Sequence, residues 1–378
     1  MNGQTSAHAL SSHITFWPPA APLLAATMRI RADLGQWPSP AVRWRLCSTL
    51  PQSIDANDLI ILHSDTLTKD ADQHEPGHFA AAAGVLTVTA ETITLRLGGT
   101  VYPLAGERSD DWLAALAAFL DCGFMPPDAL VLAHAWREPH RAESNAWPVD
   151  YTDFPRVLGL AAVRPSIPFA ACPWQLGLYP VVASADWVER LLELGVKTIQ
   201  LRAKTLEHAA LQAEIKRAVQ AARHYHARLF INDHWQLAIE AGAYGVHLGQ
   251  EDLQTAQLQT IANAGLRLGL STHGYYEMLA ACHLQPSYIA LGAVFATTTK
   301  SMPTAPQGLT RLAYYVQLLK KQVPLVAIGG IDETVLADVL ATGVGSAAVV
   351  RAITEAGDLR KAVATLQHAF VRNHDLDK

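Results

Sequence analysis

The sequence has few cysteines and lacks a long apolar run. Only four of its 378 residues are cysteine, and Cys47, Cys122, Cys172 and Cys282 are far apart, without CxxC spacing. This pattern argues against a cysteine-bound metal cluster and indicates a reducing compartment. No stretch of about 18 apolar residues occurs, so we expect no membrane span. The opening MNGQTSAHALSSH lacks a basic start and an apolar core. We therefore expect no signal peptide and a cytoplasmic location.

The sequence also has no excess of basic residues over acidic ones. The chain has 29 Lys and Arg against 34 Asp and Glu, a net charge of -5, which gives no basic field for nucleic acid. Half of the residues are hydrophobic, and the length allows two domains of ordinary size. We expect small-molecule substrates as partners, with no nucleic acid and no membrane, and we leave a homo-oligomer open.

The first 165 residues predict a smaller α/β domain. We expect residues 1–45 to be irregular apart from a short helix over Leu23–Leu34, and 64–80 to be a polar loop. Alternation of apolar and polar residues indicates strands, and prolines before Ala129 indicate a helix start. The predicted strands are Asp58–Leu62, Leu86–Thr89, Thr92–Leu97 and, after the turn at Gly98-Gly99, Val101–Leu104; the predicted helices are Trp112–Leu120 and Ala129–Trp136.

Residues 137–175 look like loop, and we place the domain boundary near 165–175. From Leu176 onward, short apolar runs alternate regularly with helical patterns. The predicted strands are Leu176–Val182, Thr198–Leu201, Leu229–Ile231, Val246–Leu248, Leu268–Leu270, Tyr288–Leu291, Leu325–Ile328 and Ala347–Val350. Eight units predict a (β/α)8 barrel, the TIM barrel fold, over residues 176–370. A doubly wound open sheet is the alternative, but no GxGxxG follows the first strand.

Two acidic residues follow consecutive strands of this predicted barrel. Asp233 comes after Leu229–Ile231, and Asp252 comes after Val246–Leu248. Because neighbouring parallel strands end at the same rim, we expect the two carboxylates to meet there. Oxygen ligands of this kind suit Mg²⁺, which keeps sites for water and substrate phosphates. The alternative is that both acids only cap helices.

Cationic and amide side chains follow the second strand. Gln200, Arg202 and Lys204 are spaced by two, so on an extended strand they share one face. Arg binds phosphate oxygens in a bidentate manner and Lys adds a point charge, which suits a diphosphate. The alternative interpretation is a solvated strand end.

Further polar residues follow the other strands. The Ser271 hydroxyl could hydrogen-bond a heteroaromatic ring. His273 is equally consistent with supporting another site residue and with packing. After strand six a loop carries three threonines and a lysine and then a proline-rich stretch of the kind that forms lids. Barrels often bind phosphate after strands seven and eight. The candidates at these positions are Thr297, Thr298, Thr299, Lys300, Gly329, Gly330, Val350 and Arg351.

These residues together predict two phosphate-binding sites and a carboxylate pair for Mg²⁺. No Ser-His-Asp order and no HExxH motif occurs in the predicted barrel from Leu176 onward. The residues by themselves therefore indicate a Mg²⁺-dependent enzyme that joins a diphosphate substrate to a monophosphate substrate.

Seven motifs carry a resemblance to a known family. They are QLRAK, LFINDHWQLAIEAGAYGVHLGQEDL, LGLSTH, SYIALGAVFATTTK, APQGL, VAIGGI and GVGSAAVV. In this order they resemble the thiamine phosphate synthases (thiamine-phosphate pyrophosphorylases) from about Leu176 to the end. The resemblance implies a (β/α)8 barrel and a transferase of thiamine biosynthesis. Such an enzyme couples hydroxymethylpyrimidine diphosphate to hydroxyethylthiazole phosphate, releasing diphosphate and thiamine phosphate through a carbocation-like step.

The resemblance also implies a role for each matching residue. Asp233 and Asp252 would ligate Mg²⁺, Ser271 would meet the pyrimidine, and Lys300 would hold the diphosphate. The pyrimidine diphosphate would bind Gln200, Arg202, Lys204 and Asn232, and the thiazole phosphate would bind Thr297, Thr299, Gly330, Val350 and Arg351. Of these, Arg202, Lys204, Lys300 and Ser271 would take part in catalysis. The family often has Ser at position 351, so Arg351 is a departure.

The N-terminal part faintly resembles the C-terminal part of ribokinase-like hydroxymethylpyrimidine phosphate kinases. Those kinases carry a Gly-Thr-Gly anion hole where this chain has Gly106-Glu107-Arg108-Ser109, and the first half of the kinase is missing. We therefore expect a degenerate remnant without kinase activity.

Two other functions stay open for the barrel. A non-catalytic regulator could keep the fold and the ligands, although it would not need intact Asp233, Asp252, Arg202 and Lys300. An isomerase of sugar phosphates would need a general base at the rim, and neither carboxylate is free if both bind metal.

Overall fold

A computed structural model describes residues 13–63, 79–138, 147–298 and 304–376, with side chains described up to residue 372. The chain divides into two compact units, one ending at Gly159 and the other beginning at Leu160. No helix of the described residues is long and apolar enough to cross a membrane.

The first unit contains one seven-stranded sheet in the order β1 to β7. Its first four strands run parallel and the last three pair antiparallel. The strands are β1 Thr15–Trp17, β2 Arg45–Cys47, β3 Asp58–His63, β4 Gly84–Val88, β5 Thr92–Leu97, β6 Thr100–Ala105 and β7 Arg156–Val157. The described part of this unit also has the α-helices α1 Ala21–Asp33, α2 Trp112–Asp121 and α3 Pro126–Ala135.

The predicted hairpin of Leu86–Thr89 and Thr92–Leu97 is confirmed in this unit. The strand predicted after it, Val101–Leu104, and the predicted helices are confirmed too. Gly98 and Gly99 form the turn between β5 and β6 with φ of 55° and 83°, which glycine adopts without strain. The prediction that residues 1–45 are irregular apart from one helix was wrong, because β1 lies there and β2 begins at Arg45. The predicted loop 137–175 also contains β7. Strands of two or three residues give no readable alternation and depend on distant partners. Of the predicted loop 64–80, residues 64–78 lie outside the described residues.

The second unit is a closed barrel of eight parallel strands. The strands are β8 Gly177–Val182, β9 Thr198–Leu201, β10 Arg228–Asn232, β11 Gly245–Leu248, β12 Arg267–Thr272, β13 Tyr288–Gly292, β14 Leu325–Ile328 and β15 Ser346–Val349. Each prediction for these strands is confirmed to within two residues, and the open-sheet alternative is excluded because β15 pairs with β8.

Helices surround the barrel as the periodicity predicts. They are α4 Ala185–Glu193, α5 His208–His224, α6 Trp235–Ala241, α7 Gln250–Leu253, α8 Leu258–Asn263, α9 Tyr275–His283, α10 Gly308–Leu319, α11 Leu336–Ala341, α12 Arg351–Thr354 and α13 Leu359–Leu376. The barrel interior is filled by large side chains, among them Tyr179, Phe230, Tyr288 and Val326. This packed interior puts a floor beneath the C-terminal rim, where the polar residues gather.

Candidate active site

A cavity of about 1140 Å³ opens at the C-terminal ends of the barrel strands. Side chains from every part of the rim line it, which is where barrel enzymes place their reacting groups. Eleven of the thirteen predicted site residues lie in this cavity: Gln200, Arg202, Lys204, Asn232, Asp233, Asp252, Ser271, Thr297, Gly330, Val350 and Arg351. The other two, Thr299 and Lys300, lie outside the described residues.

The two acids meet at the rim. In the neighbouring strands β10 and β11, Asn232 pairs with His247, so both strands end at the same level. The pKa of Asp233 is raised, first by its burial and then by the charge and hydrogen bond of Asp252. Asp233 also has a left-handed backbone, with φ of 63°, an uncommon conformation for a residue with a side chain. The side chains are therefore held against each other although their carboxyl groups repel.

Asp252 also caps the N-terminal end of the helix that contains it. It is the third residue of α7, Gln250–Leu253, and its Oδ2 accepts a hydrogen bond of 3.3 Å from the backbone N–H of Gly249. The capping alternative is thus correct for Asp252 in part, because the same carboxyl both caps a helix and faces Asp233. The sequence did not separate these two roles because both need an acid directly after the strand.

The predicted diphosphate residues lie beside the acids. Gln200 is the buried third residue of β9, while Arg202 and Lys204 follow the strand end at Leu201. The Arg202 N–H donates to the Val182 carbonyl over 2.8 Å, which continues the strand pairing and holds this segment at the rim. Both cations lower the pKa of Asp233 and so oppose its raising by burial. The cations and the carboxyl pair therefore act on one another across the same space.

The opposite side of the cavity has glycines and backbone turns. Gly330 follows β14 with φ of 66°, and a Cβ there would lie 2.6 Å from the Ala296 carbonyl oxygen. The backbone of the Phe295–Thr297 segment can approach closely only because this position has no side chain. Arg351 begins α12. The pKa of Asp332 is lowered first by its hydrogen bond with the Thr334 side chain, with a smaller contribution from the charge of Arg351.

One candidate residue of the site, His247, was missed in the sequence. His247 lines the cavity, with Nε2 located 2.8 Å from Ser271 Oγ and Nδ1 2.7 Å from the Tyr288 hydroxyl. The signal was a histidine in the middle of an apolar strand, GVHL, where the barrel interior buries it. His273, which the sequence left open between packing and supporting another site residue, lines the cavity, and its Nδ1 lies 2.8 Å from Glu277 Oε2.

The donor set of the site fits a hard cation. Among the described residues no group of three or more His, Cys, Asp and Glu side chains could hold a metal. The Asp233–Asp252 pair supplies carboxylate oxygens only, which suits Mg²⁺ completed by water and substrate phosphates and does not suit a softer metal.

Comparison with known proteins identifies the family. Residues 178–353 match the family model described as thiamine monophosphate synthase. The thiamine-phosphate synthase of Salmonella choleraesuis is 57% identical over 198 residues, which are 52% of this chain and 93% of that protein. The chain belongs to the thiamine-phosphate synthase family. The thiamine-phosphate synthase of Klebsiella pneumoniae is 58% identical over 194 residues, 51% of this chain and 92% of that protein.

A solved structure of a thiamine phosphate pyrophosphorylase from Pyrococcus furiosus is 32% identical and covers 52% of this chain and 96% of its own, with a TM-score of 0.48. The region matching the thiamine-phosphate synthase family model lies within the barrel unit. The predicted family membership of the barrel is confirmed. The resemblance of the N-terminal part to a kinase stays a prediction.

Proposed function

We propose that the barrel couples hydroxymethylpyrimidine diphosphate to hydroxyethylthiazole phosphate, giving thiamine phosphate and diphosphate. The observation that carries this proposal is the meeting of Asp233 and Asp252 beside Arg202 and Lys204, in one cavity that also contains the Gly330 turn. This arrangement offers separate places for a diphosphate and a monophosphate at a shared centre. Membership of the thiamine-phosphate synthase family supports the same reaction.

Asp233 and Asp252 would hold Mg²⁺. When bound, the ion would offset the charge of the diphosphate, as metal ions do in other phosphate chemistry. The raised pKa of Asp233 supports this role, because a pair of carboxyls that repel each other gains most from a cation between them.

The side chains stabilise the leaving group. Negative charge grows on the diphosphate as its bond to the pyrimidine methylene breaks, and Arg202 and Lys204 would stabilise that charge. Gln200 and Asn232 would orient the same substrate, and Lys300 would add a third cation. The amino group of the pyrimidine supports the developing carbocation, and the thiazole nitrogen then attacks it. The reaction needs no protein nucleophile.

The monophosphate side would bind the thiazole phosphate. Thr297 and Thr299 would supply hydroxyl groups, and the backbone at Gly330 and Val350 would supply N–H donors. Arg351 would add a charge where the family often has a serine hydroxyl. We infer that phosphate is held here chiefly by backbone groups, which this replacement leaves intact.

A direct assay tests the reaction and its metal. Purified full-length protein, both substrates and Mg²⁺ should release one diphosphate for each thiamine phosphate, and EDTA should stop turnover until Mg²⁺ is restored. Binding of both substrates without product would indicate the regulator instead. Turnover that continues in EDTA would contradict the role given to the two aspartates.

We propose no catalytic role for the N-terminal unit. The turn Gly106–Ser109 stands where the kinases have a Gly-Thr-Gly anion hole, and the hollow beside it has acidic Glu91 and Asp110 as well as Arg156. Incubating residues 1–170 with ATP and the pyrimidine monophosphate tests this proposal. Clear formation of the diphosphate would refute it.

A further inference from the structure

A chain of side-chain hydrogen bonds runs through the barrel interior below the cavity. It begins at Gln200 Nε2, 3.4 Å from the Tyr179 hydroxyl, which lies 2.9 Å from the Tyr288 hydroxyl. Tyr288 lies 2.7 Å from His247 Nδ1, and His247 Nε2 lies 2.8 Å from Ser271 Oγ. Four of these residues are at most 5% exposed. Gln200, His247 and Ser271 line the cavity, and Ser271, at the far end, is the half-buried member of the chain.

The first member of the chain is a hydrogen-bond donor. An amide nitrogen donates and does not accept, so Gln200 donates to the Tyr179 oxygen. Every proton of the chain then has an acceptor when Tyr179 donates to Tyr288 and Tyr288 donates to His247 Nδ1. A neutral histidine that accepts at Nδ1 carries its proton on Nε2 and donates it to Ser271. The Ser271 oxygen is then an acceptor within the chain, and its own proton is left for the cavity.

We propose that this chain makes Ser271 a hydrogen-bond donor toward the bound pyrimidine, with His247 and Tyr288 as positioning residues. The inference rests on the proposed function and deepens it. The site would select a ring that presents a nitrogen acceptor to Ser271 and would reject a C–H or N–H at that place. A serine without this chain could rotate and either donate or accept.

The surroundings keep the two phenols of the chain protonated. Burial raises the pKa of Tyr179 and of Tyr288 well above the ordinary value, so both phenols keep their protons. The Tyr288 ring also has a place prepared for it, because a Cβ at Gly269 would collide with Tyr288 Cζ and its hydroxyl. Strand β12 thus carries a glycine directly opposite Tyr288, in register with it.

The first test removes single hydroxyl groups from the interior. Tyr288→Phe leaves His247 Nδ1 without the donor that fixes its tautomer, and we expect KM for the pyrimidine diphosphate to rise about tenfold. KM for the thiazole phosphate should stay within about twofold. Tyr244→Phe is the matched control, because Tyr244 packs on the same core cluster outside the chain. An equal change in both variants, or in both substrates, would overturn the proposal.

Replacing the histidine provides a rescue test. A glutamine at position 247 has an amide nitrogen that can donate to Ser271, whereas a leucine has no donor. We expect His247→Gln to keep a KM for the pyrimidine about tenfold lower than His247→Leu does. Equal KM values in the two variants would overturn the positioning role, since packing alone does not distinguish donor from non-donor.

Nuclear magnetic resonance of the full chain with ¹⁵N-labelled histidine reads the tautomer directly. His247 should carry its proton on Nε2 in the wild type, and Tyr288→Phe should populate the Nδ1–H form. A His247 that carries its proton on Nδ1 in a wild-type enzyme that makes thiamine phosphate would overturn this inference and leave the proposed function standing. A folded wild type without turnover would instead count against the function.

Substrate analogues test the selectivity itself. Pyrimidine diphosphates in which each ring nitrogen in turn is replaced by C–H should include one that binds the wild type about tenfold more weakly than the parent. That penalty should disappear in Ser271→Ala. A penalty that persists in Ser271→Ala for every analogue would contradict donation by Ser271.

Discussion

At the scale of single residues, the carboxyl groups of Asp233 and Asp252 should lower the free energy of unfolding of the fold that holds them. Asp233 and Asp252 are held together at the rim, and burial followed by the Asp252 charge raises the pKa of Asp233. A carboxyl whose pKa is raised in the folded state contributes stability while it is protonated. That contribution is lost as the pH rises through the raised pKa. At neutral pH the metal-free pair should therefore destabilise the fold.

Asp252→Asn should separate stability from activity. Removing one charge should increase the free energy of unfolding in EDTA by about 0.5–1 kcal/mol, the range typical of a relieved charge conflict. The same change should abolish stabilisation by Mg²⁺ and lower kcat about 100-fold. Denaturant titrations with and without Mg²⁺ measure the first effect.

Glu251→Gln is the matched control, because Glu251 is an exposed neighbour on the same helix that also lines the cavity. It should leave both the Mg²⁺ shift and kcat near wild type. Equal behaviour of the two variants would show that general charge, and not the pair, controls metal binding.

A buried histidine in the first unit should give the protein an acid-sensitive part. His134 is 1% exposed, and neither of its ring nitrogens has a hydrogen-bond partner among the described residues. Burial, then the charge of Arg108, lowers its pKa from 6.5 to about 4. The unfolded state thus binds more protons between these two values, so stability rises with pH there and falls as acid is added.

His134→Phe should remove this acid sensitivity. Between pH 7 and pH 4 the wild type should lose roughly 3 kcal/mol more unfolding free energy than the variant, an upper limit set by the pKa difference. His283→Gln, on helix α9 of the barrel, serves as the control and should leave the pH slope unchanged. Parallel slopes for wild type and His134→Phe would contradict the prediction.

At the scale of elements, the segment after β14 depends on a residue without a side chain. Gly330 has φ of 66°, and a Cβ would lie 2.6 Å from the Ala296 oxygen and 2.7 Å from the Phe295 Cβ. Contacts this close force the Phe295–Thr297 segment to move. That segment contains Thr297 and lies on the side of the cavity proposed for the thiazole phosphate.

Gly330→Ala should therefore weaken one substrate selectively. We expect KM for the thiazole phosphate to rise about tenfold, the effect of losing one or two backbone hydrogen bonds, with KM for the pyrimidine diphosphate unchanged. Gly343→Ala is a matched control, because Gly343 has φ of 87° but its nearest neighbour is 3.6 Å away. If both variants change KM alike, backbone strain and not the collision is responsible.

At the scale of the whole molecule, the barrel unit begins before its first strand. Residues ahead of β8 bind helix α8 and the N-terminal ends of strands β12 and β13. The Ser166 backbone N–H donates to Gln259 over 2.8 Å, Ser287 Oγ donates to the Ala170 carbonyl over 2.7 Å, and Arg267 Nε donates to the Ala171 carbonyl over 3.0 Å. These bonds close the end of the barrel opposite the cavity.

Two truncations should distinguish this segment from the first unit. A chain that begins at Leu160 should keep kcat and KM within about twofold of the full chain, since it contains the whole compact unit. A chain that begins at Leu176 should lose roughly 2–4 kcal/mol of unfolding free energy with three hydrogen bonds and their packing. Equal denaturant midpoints for the two fragments would contradict the role of residues 160–175.

The order of strands, helices and polar residues along the sequence by itself determined that the second unit is a barrel and which residues lie at its C-terminal rim. Parallel strands separated by helices must end at one side, so polar residues after those strands, such as Arg202, Asp233 and Ser271, had to converge. The same regularity is absent from the first unit. Its short strands β1, β2 and β7 exist only through pairing with distant partners, which local periodicity does not encode.

Tertiary structure alone decided which side chains touch. The sequence placed His247 and Tyr288 on separate strands as ordinary members of apolar runs. Closure of the barrel, with Gly269 leaving room, turned them into links between Gln200 and Ser271. It also decided that Asp252 caps a helix while it faces Asp233. Hydrogen bonds depend on distances of a few tenths of an ångström, and such distances are set by packing in three dimensions and not by spacing along the chain.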